Sequence, residues 1–323
     1  MAKLELRNAG FIYNPGTEFQ SVALEDVSVA FEENAVTGII GHTGSGKSTL
    51  VQLLNGLLTP TSGQVFLDGR DIHETKKDRY AALLSEAERS GEKVRRHTLK
   101  RQAAADCKAM KRNICFRVGL VMQYPEAQLF EETVRKDIAF GPANMGLSKE
   151  EIDARIEKVA RLVGLNERQL NKSPFDLSGG QKRRAAIAGV LAMEPDVLIL
   201  DEPAAGLDPK GRETVFDCIR RYREECRTTV LIVSHSMEDM AAYCDRVLVL
   251  AGGRVLMHGT REEVFGQISG LETHGLDVPE ITHLMNMLRD RGYPVPDGIY
   301  TVEDAVKAVM EIAHSVSGKG ADT

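Results

Sequence analysis

The string GHTGSGKS at residues 41–48 constrains the fold of this chain more than any other feature. It matches G-x-x-x-x-G-K-[ST] at every fixed position, and residues 41–46 are called the phosphate loop below. An apolar strand candidate precedes it at 36–40. The leucines that follow it recur at helical spacing: Leu50, Leu53, Leu54 and Leu57. Strand, glycine-rich loop and helix in this order turn backbone N–H groups toward phosphates, so the sequence predicts a nucleotide site; the alternative is a glycine-rich turn without a ligand.

Several side chains in and after this loop suit a nucleotide bound together with a divalent cation. Lys47 would neutralise charge on the β- and γ-phosphates, which makes it a candidate catalytic residue, and the Ser48 hydroxyl would ligate Mg²⁺. The candidate nucleotide-binding positions here are His42, Thr43, Gly44, Ser45, Gly46, Lys47, Ser48 and Thr49.

Two adjacent acidic residues follow a buried strand candidate further along the chain. The run VLIL at 197–200 leads directly into Asp201 and Glu202. The carboxyl ends of the strands are where open α/β sheets bind ligands. We expect Asp201 to hold Mg²⁺ and Glu202 to polarise the attacking water. An Asp-Glu pair after a strand is also common as a plain helix start, and only the phosphate loop upstream favours the catalytic interpretation.

A second glycine-rich helix start lies at LSGGQ, residues 177–181, which are called the signature loop below. Its candidate nucleotide-binding residues are Ser178, Gly179, Gly180 and Gln181. A helical run follows, so this loop is a second place where a helix N-terminus can face an anion. Two such termini in one chain suggest that they meet across a dimer. The alternative is a serine N-cap followed by a flexible glycine pair.

Composition adds few constraints. The chain has 323 residues and a formal net charge of −6, so it lacks the basic character of a nucleic-acid-binding protein. Its apolar runs are far shorter than the ~20 residues that span a bilayer, and the N-terminus lacks the apolar segment of a signal peptide. Five scattered cysteines without a C-x-x-C pair predict free thiols in a reducing compartment. We therefore expect a cytoplasmic protein that serves a membrane, if it does so, from the cytoplasmic side.

Hydrophobic patterning predicts a β-rich start followed by an α/β body. Residues 4–13 and 23–31 alternate like strands, and 64–67 form another short one. Apolar runs ending at Leu200, Val233 and Leu250 then alternate with helical stretches, as in a parallel sheet. Residues 247–257 predict a closing hairpin, and the sequence has no internal repeat.

Taken together, these motifs and their order resemble an ABC-type ATPase subunit. The resemblance implies a P-loop NTPase fold of ABC type with an antiparallel β subdomain, a helical signature subdomain and a small C-terminal α-rich appendage. It also implies ATP and Mg²⁺ as ligands. The metal candidates become Ser48, Gln123 and Asp201, and Gln123 in VGLVMQYPE matches the glutamine that couples the nucleotide to a membrane partner.

Three further residues take roles only through this resemblance. Asp208 in AGLDP matches the family's D-loop, His235 matches the histidine that contacts the γ-phosphate, and Tyr13 matches an aromatic that stacks on adenine. Each has an ordinary alternative. Asp208 before Pro209 is a good helix N-cap, a lone histidine after a strand is usually structural, and Tyr13 or nearby Phe11 could simply pack.

A narrower resemblance rests on QYPEAQLFEETVRKDIAFGP at 123–142 and GLDVPEITHLMNMLRDRGYPVP at 275–296. These segments are similar to the ATP-binding subunits of energy-coupling factor (ECF) transporters, which import vitamins and metal ions. The likeness implies a second ATPase subunit, identical or different, beneath a transmembrane coupling subunit that in turn holds a substrate-binding membrane subunit. The chain would lie peripherally on the cytoplasmic face of the membrane. Acidic residues implied as acceptors for the partner's arginines are Glu126, Glu131 and Glu132; the alternative is a solvated acidic face.

One stretch departs from the family pattern, an insertion at about 76–112. Residues 74–112 contain twelve lysines and arginines against six acidic residues. The spacing of Tyr80, Leu83, Leu84 and Ala87 predicts a helix that ends before Gly91. This helix would be the first of a two-helix hairpin. We expect either contact with an anionic membrane surface or acidic partner, or a solvated hairpin without a ligand.

These observations predict two domains and one principal function. An ATPase domain would cover 1–269, with a helical subdomain at about 123–195, and a dimerisation domain would cover 270–323. The chain would energise an ECF-type importer through head-to-tail dimerisation and docking onto the coupling subunit. The alternatives are a soluble ABC ATPase acting on nucleic acid or ribosomes, and a weakly hydrolysing half of an asymmetric ATPase pair. One phosphate loop and no sustained heptads disfavour the first, and Glu202 with His235 disfavours the second.

Overall fold

Two β-sheets form the body of the protein, which a computed structural model describes over residues 2–90 and 95–319. The strands are β1 (Ala2–Tyr13), β2 (Ser21–Glu32), β3 (Val36–Ile40), β4 (Ser62–Leu67), β5 (Arg70–Asp71), β6 (Val118–Val121), β7 (Val197–Asp201), β8 (Thr229–Val233), β9 (Arg246–Ala251) and β10 (Arg254–Thr260). The smaller sheet is antiparallel, with the order β2-β1-β4-β5. Leu4 pairs with Leu67 and Leu6 with Val65, and all four are buried because alternate residues of these strands face the core.

The larger sheet has six strands in the order β10-β9-β3-β8-β7-β6, and all except β10 run parallel. A parallel sheet is covered on both faces, which explains its continuous apolar runs. Residues of β7 alternate between two cores: Leu198 and Leu200 pack on one face, Val197 and Ile199 on the other. The predicted parallel sheet and its closing hairpin, β9 with β10, are confirmed.

Helices cover both faces of the larger sheet and extend beyond it. They are α1 (Lys47–Leu54), α2 (Lys76–Ser90), α3 (Arg96–Arg117), α4 (Val134–Met145), α5 (Lys149–Val163), α6 (Glu167–Leu170), α7 (Gly179–Leu191), α8 (Pro209–Cys226), α9 (Met237–Tyr243), α10 (Arg261–Phe265), α11 (Ile268–Thr273), α12 (Glu280–Asp290) and α13 (Val302–Lys319). Short 3₁₀ turns occupy Pro125–Gln128 and Pro174–Asp176. In the described part of the chain, no helix has the length and apolar character needed to cross a membrane.

The helix after the phosphate loop is shorter than the leucine spacing predicts. Leu50, Leu53 and Leu54 are buried, but α1 ends at Leu54, and Leu57 is 62% exposed. The chain leaves the helix because Asn55 donates its side-chain N–H to the carbonyl of Val118, and the next residue, Gly56, has a left-handed backbone (φ 80°). The prediction that Leu57 belongs to the buried helical face is therefore wrong.

The charged insertion forms the predicted helical hairpin from α2 and α3. Its small core contains Leu83, Leu99 and Ala103, with Tyr80 and Leu84 packed against it. Arg79 joins the two helices through an ion pair with Asp106 at 2.8 Å. The predicted turn residue Gly91, together with Glu92 and Lys93, lies outside the described residues.

The C-terminal region packs partly in the main core and partly in a core of its own. Leu271, Leu276, Val278 and Tyr300 belong to the main core. A separate small core joins α12 to α13 and contains Met285, Val295, Ile299, Ala305 and Ala308. One side of α13 faces outward, since Val306 is 55% and Val309 41% exposed.

Candidate nucleotide-binding site

The phosphate loop connects β3 to α1 and places a helix start at the surface of the sheet. Gly46 is the N-cap of α1, with a left-handed backbone (φ 101°). A Cβ there would lie 2.6 Å from the carbonyl oxygen of Ala23, so this position requires glycine on two counts. No side chain caps α1, and no acidic residue lies in its first turn. Its first N–H groups can therefore bind an anion.

Lys47 lies in the first turn of α1 and is buried, with 7% exposure. Its ammonium donates hydrogen bonds to two carbonyls of the phosphate loop, those of Gly41 and His42. Burial lowers the pKa of Lys47, while the nearby carboxylates of Glu202 and Asp201 act in the opposite direction. A buried ammonium with only carbonyl partners is well placed to receive an anion.

A cavity of about 550 Å³ opens beside this helix start and is called the nucleotide cavity below. It brings together residues that are far apart in the sequence: Tyr13, Ser21, Val22, Ala23, Thr43, Gly44, Gly46, Lys47, Ser48, Thr49, Gln123, Asp201, Glu202, Val233 and His235. Most of the predicted nucleotide, metal and catalytic candidates are in this set. The sequence reasoning missed Ser21, Val22, Ala23 and Val233, which carry no charge or motif that would have marked them.

Of the two aromatic candidates, Tyr13 lines the nucleotide cavity and Phe11 does not. Its hydroxyl lies 3.2 Å from the Thr49 hydroxyl, and its side chain is 39% exposed. Phe11 packs edge-on against Tyr13 at 4.8 Å between ring centroids and otherwise contacts the core. An adenine ring can therefore reach Tyr13 but not Phe11; stacking itself stays a prediction.

The carboxylate pair lies at the carboxyl end of β7, inside the nucleotide cavity. Burial raises the pKa of Asp201, with Lys47 and His235 opposing the shift. Burial and the neighbouring charge of Asp201 raise the pKa of Glu202. Glu202 Oε1 is buried without a hydrogen-bond partner. Such a carboxylate oxygen favours a proton or a polar ligand.

His235 lies beside Glu202 after the end of β8. Its Nε2 is 3.6 Å from Glu202 Oε1, which is too long for a hydrogen bond. Burial and the charge of Lys47 lower the pKa of His235, while Asp201 raises it. The histidine is therefore mainly neutral at neutral pH and has a ring nitrogen available to a ligand.

The residues present fit ATP with a divalent cation. An uncapped helix start and a buried lysine suit phosphates, and the unpartnered oxygen of Glu202 suits a bound water. The hydroxyl of Ser48, the amide of Gln123 and the carboxylate of Asp201 all line the nucleotide cavity. Hydroxyl, amide and carboxylate oxygens are the ligands that Mg²⁺ prefers.

Two phosphate-loop candidates direct their side chains elsewhere. His42 Nε2 bonds to the carbonyl oxygen of His274, after α11, at 2.7 Å, and His42 is not among the residues that line the nucleotide cavity. Ser45 is buried, its hydroxyl has no hydrogen-bond partner, and it does not line the cavity either. The His42 side chain is thus held by the C-terminal region, and a nucleotide contact by the backbone of His42 stays a prediction.

The signature loop and Asp208 also lie outside the nucleotide cavity. Ser178 is the N-cap of α7, and its N–H donates to Gln181 Oε1 at 3.1 Å. Asp208 is the N-cap of α8 and accepts a hydrogen bond from the Gly211 N–H at 2.8 Å. Both ordinary capping interpretations are thus realised. Within the described residues, this chain does not bring its own signature loop to its own nucleotide cavity.

An apolar cleft of about 360 Å³ includes Gln128, five residues after Gln123, in its lining and is called the docking cleft below. Its lining includes Phe116, Leu129, Phe130, Phe140, Val190 and Met193. Phe130 and Phe140 meet edge-on at 5.0 Å, yet they are 60% and 47% exposed. Of the predicted acidic acceptors, Glu126 pairs with Arg183 and Glu132 with Lys136, both within this chain.

Comparisons with known sequences agree with this geometry. The family model described as ABC transporter matches residues 24–205. The chain is 46% identical over 314 residues to the energy-coupling factor transporter ATP-binding protein EcfA2 of Clostridium acetobutylicum, covering 97% of this chain and 98% of the relative. It is 47% identical over 311 residues to the EcfA2 protein of Symbiobacterium thermophilum, covering 96% of each.

Two solved structures of ABC proteins are also similar to this chain. CbiO1 from Clostridium perfringens, part of the ABC transporter complex cbiONQ, is 34% identical with a TM-score of 0.67, covering 88% of this chain and 99% of that one. The ATP-binding cassette MJ0796, solved as a dimer after hydrolysis with ADP and phosphate, is 26% identical with a TM-score of 0.61, covering 80% of this chain and 98% of that one.

Proposed function

The chain belongs to the ABC transporter family, among the energy-coupling factor transporter ATP-binding proteins, and we propose that each of its ATP sites is completed by a second ATPase subunit. It is an ATPase that energises an ECF-type importer. The observation that carries the proposal is the position of the signature loop outside a nucleotide cavity that otherwise holds a full set of hydrolytic groups.

Within the nucleotide cavity, different residues of this chain would bind the phosphates, the adenine and Mg²⁺. The α1 N-terminus and Lys47 bind the β- and γ-phosphates, and Tyr13 stacks on the adenine. Ser48, Gln123 and Asp201 would hold Mg²⁺, which neutralises charge on the phosphates. These assignments are supported by the nucleotide cavity, which all of these residues line.

Glu202 and His235 would act on the water and on the γ-phosphate. The unpartnered oxygen of Glu202 accepts a hydrogen bond from the attacking water and orients it. The neutral ring of His235, 3.6 Å from that carboxylate, donates a hydrogen bond to the transferred phosphoryl group. The Glu202 side chain is only 16% exposed, so water weakens its interactions little, whereas His235, at 58%, is open to an incoming ligand.

The partner subunit would supply the missing half of each site. A Cβ at Gly179 or Gly180 would meet no atom within 4 Å, so packing inside this chain does not require either glycine. Glycine there allows the close approach of a ligand held by another molecule. Head-to-tail pairing would set the α7 N-terminus of one subunit, with Ser178, opposite the phosphate loop of the other. Asp208, at the start of α8, would lie near the same interface.

The docking cleft would receive a cytoplasmic segment of the transmembrane coupling subunit, and through it the substrate-binding membrane subunit. Its exposed aromatic rings support an apolar partner surface. Gln123 lines the nucleotide cavity and Gln128 lines the docking cleft, so one short segment links ATP to the partner. The chain would thus lie on the cytoplasmic face of the membrane. Its C-terminal dimerisation unit would cover residues 270–323, part of which packs in a core of its own.

The test of this function is Glu202→Gln in the full-length protein, assembled with the subunits that co-purify with it. ATP binding should be retained, phosphate release should fall by a factor of about 10² or more, and the ATP-bound dimer should persist longer. Glu150→Gln, on the exposed start of α5, is the matched control and should hydrolyse at the wild-type rate. Wild-type hydrolysis by Glu202→Gln would remove Glu202 from its role.

A further inference from the structure

Arg183 is a buried cation that joins three functional segments of the chain. It lies in the first half of α7, just after the signature loop, and is 2% exposed. Its Nε and Nη2 donate to the two carboxylate oxygens of Glu126 at 3.0 and 2.8 Å. Its Nη1 donates to the carbonyls of Pro203 and Ala205. One guanidinium therefore connects α7, the segment between the nucleotide cavity and the docking cleft, and the turn that follows Glu202.

The chemistry of this contact requires arginine. A planar guanidinium can bind both oxygens of one carboxylate and still direct another N–H group toward carbonyls on its other side. Lysine offers a single point charge and cannot span the same set. Burial raises the pKa of Glu126, but the hydrogen bonds and charge of Arg183, together with the backbone N–H of Glu126, outweigh burial and leave the pKa below its usual value, so the pair is ionic.

The turn after Glu202 is one that needs support. Glu202 has a left-handed backbone (φ 51°), an unfavourable conformation for a residue with a side chain. Its N–H donates to the Val233 carbonyl at 2.9 Å, and its carbonyl accepts from the Ala205 N–H at 3.2 Å. Arg183 donates hydrogen bonds to the carbonyls of Pro203 and Ala205, which follow Glu202 in this turn. A shift of this turn would displace the Glu202 carboxylate from the attacking water.

We propose that Arg183 is a positioning residue, which fixes the turn after Glu202 and ties its placement to Glu126 beside the docking cleft. This inference rests on the proposed function, because it assigns Arg183 to the support of Glu202. Movement of the segment that contains Glu126, on docking of the transmembrane partner, would reach the catalytic carboxylate through a single side chain. The same contact would reach the signature loop through α7.

The experiment compares Arg183→Met with wild type in the full-length protein assembled with its co-purifying subunits. The kcat for ATP should fall about tenfold or more, as for a misplaced catalytic group, while KM for ATP stays within about twofold because Lys47 and the phosphate loop are untouched. Arg135→Met is the matched control: it removes an arginine paired to Glu167 at 2.8 Å, far from the turn, and should keep the wild-type kcat.

Two further variants keep the proposal falsifiable if Arg183→Met folds poorly. Arg183→Lys and Glu126→Gln should each lower kcat, and their effects should be less than additive in the double variant, since both act through one contact. Thermal unfolding separates folding from positioning. A reduced Tm with wild-type kcat for the folded protein would overturn the proposal, and so would full additivity.

Failure of this inference can be told apart from failure of the proposed function. If Glu202→Gln is inactive while Arg183→Met and Arg183→Lys hydrolyse ATP at the wild-type kcat, the Arg183 inference alone is wrong. If Glu202→Gln hydrolyses ATP normally, the catalytic assignment fails first, and the role of Arg183 fails with it.

Discussion

The starts of α1 and α7 are the two glycine-rich helix N-termini of this chain, and they differ in their surroundings. At α1, Gly46 leaves the helix uncapped, and the nucleotide cavity places a lysine, two carboxylates and a histidine nearby. At α7, Ser178 caps the helix in concert with Gln181, and none of those groups is at hand. The α1 N-terminus lies beside the candidate catalytic groups and opens to the nucleotide cavity. The α7 N-terminus is exposed and has no such groups in the nucleotide cavity.

This difference is what the proposed completion of each site by a second subunit rests on. Gly46 cannot be replaced because its own chain crowds it, with Ala23 2.6 Å from a Cβ. A Cβ at Gly180 would meet no atom within 4 Å, so packing within the described part of the chain does not require glycine there. The proposal assigns the reason for glycine at this position to the partner subunit.

The largest effect that separates the two termini is expected from Gly180→Asp. An aspartate at the second position of α7 should leave the fold intact or slightly stabilise it, because it favours a helix N-terminus and meets no neighbouring atom. ATP affinity of the separated subunit should be unchanged, since the nucleotide cavity is untouched. ATP turnover of the assembled dimer should fall at least twofold, and about tenfold or more if every subunit is altered, because a negative charge would face the partner's γ-phosphate.

The control for Gly180→Asp is His97→Asp, which puts the same residue at the second position of α3 on an exposed face. It should leave both ATP affinity and turnover unchanged. Isothermal titration calorimetry and phosphate release measure the two quantities. A loss of ATP affinity in the separated Gly180→Asp subunit would mean that α7 contributes to its own nucleotide cavity, which would break the distinction between the termini.

A smaller effect should appear in the stability of the α1 site without nucleotide. The folded-state pKa of Glu202 is raised by burial and by Asp201, so the charged carboxylate destabilises the fold at pH values above that raised pKa. This penalty fades as pH falls through the raised pKa toward the ordinary value of about 4.3. Glu202→Gln should therefore increase Tm at pH 7.5, and the increase should be smaller near pH 4.5.

Thermal unfolding across this pH range tests the expectation, with exposed Glu150→Gln as a control that gains nothing. A gain at Glu202 that grew toward acid pH would contradict the burial argument. The Gly180→Asp variant should show no such pH dependence, because the new carboxylate lies at an exposed helix N-terminus and stays charged over this pH range.

Sequence alone predicted the elements whose signals are local. The phosphate loop, the carboxylate pair after β7 and the hairpin of α2 and α3 each depend on residues within a few turns of one another. The prediction for Leu57 was wrong because the hydrophobic spacing continues past Gly56, whereas the helical backbone does not.

Contacts between distant segments could not be predicted in the same way. Glu126 and Arg183 are 57 residues apart, and His42 meets the carbonyl of His274 across 232 residues. Each of these side chains has several plausible local roles, and only the packing of α7 and α11 selects one. The lining of the nucleotide cavity by Val22 and Ala23 likewise depends on how the two sheets meet.

The most direct test of a site shared between subunits uses a dimer in which only one subunit is altered, isolated through different tags on the two subunits. In a Glu202→Gln background of both subunits, or the matching change in a different partner, the ATP retained per dimer is counted after gel filtration. Lys47→Ala and Gly180→Asp should each remove one of the two retained nucleotides, and both changes in the same subunit should remove both. If the dimer that carries both changes in one subunit still retained one nucleotide, both changes would damage a single site within one chain. That result would contradict the account.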